Sequence, residues 1–156
     1  MTAQQNSRTF SIRSLLATDN ALSPVALRTT LAIVMFPHGA QKTVGWFGGY
    51  GWSGSMDFLI SMGLPGFVAA GIILLEFLGP LLLLAGLGTR AVALGFIGIM
   101  IGAITTVHAE HGFFMNWFGA QQGEGFEYHL LVIGAALALL FTGGGRWSAD
   151  RRISAS

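Results

Sequence analysis

The chain alternates four long apolar runs with short polar stretches. The runs are "VALRTTLAIVMFPHGAQKTVGWF", "LPGFVAAGIILLEFLGPLLLLAGLG", "RAVALGFIGIMIGAITTVHAE" and "FEYHLLVIGAALALLFTGG". Each holds about 20 residues with few charges, the length a helix needs to cross ~30 Å of hydrocarbon. The pattern predicts an all-α integral membrane four-helix bundle with spans at about 25–46, 65–87, 90–108 and 126–142. Pro24 suits the first helical turn, where its missing N–H is not needed. Only Gly88 and Thr89 lie between the second and third spans, so these helices should form a tight antiparallel hairpin. Residues 47–64 and 109–125 are longer connections rich in glycine and aromatics.

Residues 24–146 thus form one four-span domain, preceded by a juxtamembrane arm at 1–23 and followed by a tail at 147–156. The arm lacks the apolar core and small-residue cleavage site of a secretory signal. Arg8, Arg13, Arg28, Arg90, Arg146, Arg151 and Arg152 all fall on the side of the termini or just inside it. Only Lys42 falls towards the other side, which places both termini in the cytoplasm.

Composition agrees with this pattern. The chain is 53% hydrophobic and 10% charged, against ~25% charged in soluble domains. The lipid bilayer is therefore its first partner. A net charge of +1 offers no basic face for nucleic acid. The absence of cysteine removes disulfides, thiolate metal ligands and iron–sulfur clusters.

A weak internal echo runs through the chain. "WFGG" (46–49) and "WFGA" (117–120) follow the first and third runs, and "AGLGTR" (85–90) and "TGGGR" (142–146) end the second and fourth. Two helical hairpins related by an axis along the membrane normal would give this pattern. So would interfacial aromatics and glycine-terminated helix ends arising independently.

Ionisable groups at membrane depth are costly and usually face the protein interior. Glu76 lies near the middle of the second run, and His38 lies in the outer half of the first with Lys42 one turn further out. His108 ends the third run; Glu127 and His129 open the fourth. Pro80 cannot donate to the Glu76 carbonyl, nor Pro37 to that of Ile33, so each frees an acceptor. The simplest arrangement is a polar cavity open outwards. Glu76 forms its floor, His38, Lys42 and His108 its wall, and Glu127 or His129 can join them. Lys42, a histidine or Arg28 could serve as the cation facing Glu76. The buried acid reads either as an interhelical packing bond or as a ligand, proton or electron-donor site.

Sharper motifs are scarce. His108 and His111 are three apart, and Glu127 with His129 could complete a metal set. Gly112 breaks the helix there and no HExxH or Cys-His pattern exists, so no metal is assigned. Two histidines on facing helices could ligate haem, but one histidine per helix is no haem signature. A quinone fits better, because it enters from lipid and needs acid or imidazole groups near its carbonyls. Gly98 and Gly102, spaced as GxxxG, suit close helix packing within the bundle or dimerisation. Phe113, Phe114, Trp117 and Phe118 read as an interfacial belt, with Glu110 and His111 on its rim.

The order and spacing of Arg28, "HGAQK" (38–42), "EFLGPLLLLAGLGTR" (76–90), "HAEHGFF" (108–114), "GFEYHLL" (125–131) and "GGGRWSADR" (143–151) resemble the DoxX family of small four-helix membrane proteins. The resemblance covers about residues 24–152. It implies a bacterial or archaeal inner-membrane protein, of the kind described as a small quinol-oxidase or thiosulfate:quinone oxidoreductase subunit, with other members linked to thiol and oxidative-stress responses. It carries over to Arg28, His38, Lys42, Glu76, Arg90, His108 and Glu127. With no cysteine of its own, the chain would need a protein partner for thiol chemistry.

The resulting expectation is a component of a membrane redox system that binds a quinone or similar lipophilic substrate. Glu76 and His38 would handle protons or hydrogen-bond the substrate, and Lys42, His108, Glu127, His129 and Arg28 would bind it. Such a component has a partner protein in a redox complex or assembles as a homo-oligomer. The rival is a non-catalytic scaffold subunit whose polar residues fix packing. A transporter or channel fits less well, since four short helices with one central acid leave little room for a pathway.

Overall fold

The computed structural model describes residues 16–155, and over these it is all-helical with no strand. Arg8 and Arg13, used in the orientation argument, lie outside the described residues. We label the helices α1 (Ser23–Thr43), α2 (Gly51–Ser61), α3 (Gly66–Ala85), α4 (Thr89–Ala103), α5 (Glu127–Thr142) and α6 (Ala149–Ala155). A short 3-10 turn, Trp46–Gly48, precedes α2. A π-helical turn, Ile104–His108, and a 3-10 turn, Ala109–His111, extend α4.

Two helical stretches, Gly66–Ala85 and Thr89–His111, are long and apolar enough to cross a membrane. Glu127–Thr142 is also apolar but shorter. Their outward faces carry Leu78, Leu81, Leu94, Leu131 and Phe141, all exposed. In water such a surface would aggregate; in lipid it is solvated. Inward, Leu31, Met35, Leu83, Phe96 and Leu139 form one buried cluster.

Packing pairs α1 with α3 and α4 with α5 most extensively. Consecutive α3 and α4 do turn tightly, as the sequence predicts, yet they share less surface with each other than with these partners. The turn itself follows from two glycines. Gly86 is left-handed (φ 65°), and its N–H with that of Leu87 returns to the carbonyls of Leu83 and Leu82, the pairing of a Schellman end. Gly88, also left-handed (φ 61°), then starts α4.

Arginines close two helix ends in the same manner. Arg28 from α1 donates to the carbonyls of Leu83 and Leu84 at the end of α3. Arg90 from α4 donates to those of Leu140 and Phe141 at the end of α5. A guanidinium is suited to this task, because it offers several donors to terminal carbonyls and its charge opposes the negative end of the helix dipole. The tail is docked: the Asp150 carboxylate accepts the N–H groups of Gly88 (2.7 Å) and Thr89 (2.9 Å) at the start of α4.

Residues 47–64, read from sequence as a connection, contain the eleven-residue helix α2. Its glycines and short length hid it.

Candidate functional site

The site grows from a close crossing of α1 and α3. Gly39 faces the backbone of α3 so nearly that a Cβ there would stand 2.2 Å from the Glu76 carbonyl oxygen. That oxygen has no helical donor, since Pro80 occupies the position that would supply one. The contact draws Lys42, one turn beyond Gly39, onto the Glu76 side chain, where Nζ donates to Oε2. Glu76 is buried, with a side chain 5% exposed, whereas the Lys42 side chain is 32% exposed.

A π-helical turn places His108. The hydroxyls of Thr105 and Thr106 both bond to the Gly102 carbonyl, at 3.0 and 2.8 Å. They compete with the regular backbone pattern at the π turn. The resulting register swings His108 inward, and its Nδ1 meets the Glu124 carbonyl at 2.8 Å. His108 and His129 then lie ring to ring at 4.1 Å, tilted by 45°. Tyr128 stands beside His129 (5.6 Å) and His38 (6.0 Å).

Two cavities flank the Lys42–Glu76 pair. The smaller, about 240 Å³, is bordered by His38, His108, His129 and Tyr128. The larger, about 490 Å³, is mainly apolar and runs between α3 and α4, with Gly98 and Gly102 along one side. A Cβ at either glycine would meet nothing within 4 Å. The GxxxG pair therefore opens a groove and does not seat a neighbouring helix within the chain.

Five of the residues expected at the site, Glu76, His38, Lys42, His108 and His129, are brought together. Arg28 and Glu127 are not. Arg28 is held at the far end of α3 by Leu83 and Leu84. The Glu127 carboxylate turns to the 109–125 segment, accepting from the Met115 N–H (2.9 Å) and the Trp117 indole N–H (3.2 Å). The sequence-based set of His108, His111, Glu127 and His129 does not converge: His111 instead approaches Glu110 and Gly123. Tyr128 and Glu124 were missed, Tyr128 for want of any charge and Glu124 because it lies in a polar connection.

The profile of the DoxX family matches residues 23–109. The chain belongs to the DoxX family. It is 35% identical over 118 residues to a Bacillus subtilis protein named "Putative oxidoreductase CatD", covering 76% of this chain and 78% of that one. It is 34% identical over 112 residues to the inner membrane protein YqjF of Escherichia coli, covering 72% and 82%. No solved structure matches it. The DoxX match spans α1 to α4, and so includes Lys42, Glu76 and His108. This DoxX chain is a membrane protein, with a buried carboxylate where α1 meets α3.

Proposed function

We propose that this DoxX protein crosses the inner membrane four times, through α1, α3, α4 and α5, with both termini cytoplasmic. It binds a quinone or similar lipophilic molecule in the half away from the termini. The orientation rests on Arg28, Arg90 and Arg151. Their hydrogen bonds to Leu83, Leu140 and Asn20 gather them at one end, while Lys42 lies at the other.

One observation carries the binding assignment: a buried carboxylate and an ammonium stand at the head of an apolar groove. Lys42, Glu76 and His108 line the same cavity as Val68, Ile72 and Gly98. A quinone head needs a donor for its carbonyl and an acceptor for its hydroxyl when reduced. Lys42 supplies the first, and Glu76 the second. The groove receives the lipophilic remainder. His38, on the other side of the ion pair, is placed to exchange protons with it through the smaller cavity. The name of the Bacillus relative agrees with a redox role. Titrating a short-chain quinone into purified protein should quench Trp46 or Trp117 fluorescence, with loss of the response in Glu76→Gln. No quenching and no co-purifying quinone would refute the assignment.

A second reading has its own support, because the Gly39 crossing and the Lys42–Glu76 bond join the same two helices. On that reading the pair fixes packing in a scaffold subunit. Glu76→Gln would then abolish folding or partner assembly before any ligand effect could be seen.

A further inference from the structure

Apart from His38, the smaller cavity has a lining that the quinone reading does not use. Three of the chain's four histidines and three of its six methionines border this one space of about 240 Å³. They are His38, His108 and His129 with Met35, Met100 and Met115, contributed by α1, α4 with its extension, α5 and the 109–125 segment. We propose that this cavity binds the soft monovalent ion Cu(I), held by imidazole nitrogen from His108 and His129 and by thioether sulfur from Met35 and Met100.

The donor types select the metal. Thioethers are soft ligands that favour Cu(I) over hard or borderline divalent ions, and imidazole suits copper as well. Among the described residues no three of His, Asp and Glu gather into a ligand set, so an ion that needs only nitrogen and oxygen donors is poorly served. Sulfur completes the set.

The histidines are arranged for ligation. The Nδ1 of His129, a residue only 6% exposed, has no hydrogen-bond partner. Nδ1 of His108 is engaged by the Glu124 carbonyl, which fixes the ring as outer-shell carbonyls fix metal-binding imidazoles and leaves Nε2 as the free lone pair. With centroids 4.1 Å apart, the two rings border the same small space. The Tyr128 hydroxyl donates to Met35 Sδ at 3.5 Å, which helps to hold the thioether in place.

Charge is also favourable. Lys42, Glu76 and Glu124 are the charged side chains on the cavity wall. Lys42 is answered by Glu76, and the Glu124 carboxylate accepts from the Asn116 N–H at 2.7 Å, so no unpaired cation opposes a monovalent guest.

The bland alternative is that methionines fill an irregular core, as they often do. Anaerobic titration separates the two. Full-length protein in detergent is given Cu(I) buffered by bicinchoninate, and wild type should remove one equivalent. Met35→Leu/Met100→Leu, which preserves volume, should bind at least tenfold more weakly, and His129→Phe should do the same. His111→Ala should bind as wild type does. X-ray absorption should show both nitrogen and sulfur around the copper. Circular dichroism and gel filtration identify variants that fail to fold, in which case the methionine pair carries the test. The proposal falls if wild type removes no stoichiometric Cu(I), if the methionine double variant binds unchanged, or if Zn(II) binds as tightly.

Discussion

Gly39 of α1 presses on the carbonyl of Glu76 in α3, and that contact sets the distance across which Lys42 reaches the Glu76 carboxylate. Any side chain at position 39 must push apart two backbones, since a Cβ would also lie 2.5 Å from the Phe77 Cα. Backbone atoms cannot swing aside as a side chain can. Gly39→Ala should lower stability by about 1–3 kcal/mol, the range for overpacking, and weaken the Lys42–Glu76 bond as well. Thermal unfolding in detergent, followed by circular dichroism, would show this as a reduced Tm. An unchanged Tm would mean that the helices do not cross so closely.

The ion pair itself should respond asymmetrically. Removing lysine strands a carboxylate that is 5% exposed, whereas removing the carboxylate strands an ammonium that is 32% exposed and able to reach water along its flexible stem. Lys42→Met should therefore be the harsher change, at about 3–5 kcal/mol, as expected when one buried partner loses the other. Glu76→Gln should cost no more than about 1–3 kcal/mol. The double variant Lys42→Met/Glu76→Leu should recover much of the loss, because no unpaired charge remains. Equal single-variant effects without recovery would contradict the pairing.

Much of this arrangement was legible in the sequence for a simple reason. A lone acid at hydrocarbon depth stays ionised only beside a cation, and apolar runs with few charges leave few candidates. Lys42, a histidine and Arg28 were all open as that cation, and only the helix crossing decides among them. Arg28 sits beside the last carbonyls of α3, a role without a sequence signature because any helix end can supply such acceptors. Glu127 was drawn towards the cavity by its position at the start of an apolar run, but a carboxylate there is equally able to accept from the preceding loop. The π turn depends on two threonine hydroxyls sharing one carbonyl, which no apolar periodicity reports. The methionines escaped notice because their spacing is that of ordinary core residues.

The docked tail gives a separate prediction. Asp150 caps α4 from outside that helix, binding two N–H groups that would otherwise be unsatisfied. Asp150→Ala should cost about 0.5–2 kcal/mol, the usual range for loss of an N-cap. Asp150→Asn should cost less, since an amide oxygen still accepts. The Lys42–Glu76 site lies near the middle of α3, away from the end that the tail docks against, so quinone quenching per folded molecule should be unaffected. Comparing Tm and quenching across the three proteins checks both statements.

Gly98 offers the cleanest separation of ligand binding from packing. It lines the apolar cavity, and a Cβ there touches nothing within 4 Å, so a larger side chain can enter the groove without displacing protein. Helix propensity favours the change by up to about 1 kcal/mol, because glycine is the weakest ordinary helix former. Gly98→Leu should therefore fold at least as well as wild type while filling the space assigned to the lipophilic part of the ligand. Under the quinone reading, quenching should weaken at least tenfold with Tm unchanged or raised. Under the scaffold reading there is no ligand to exclude, and partner assembly should persist. Undiminished quinone binding in a well-folded Gly98→Leu would show that the groove between α3 and α4 is not where the ligand lies.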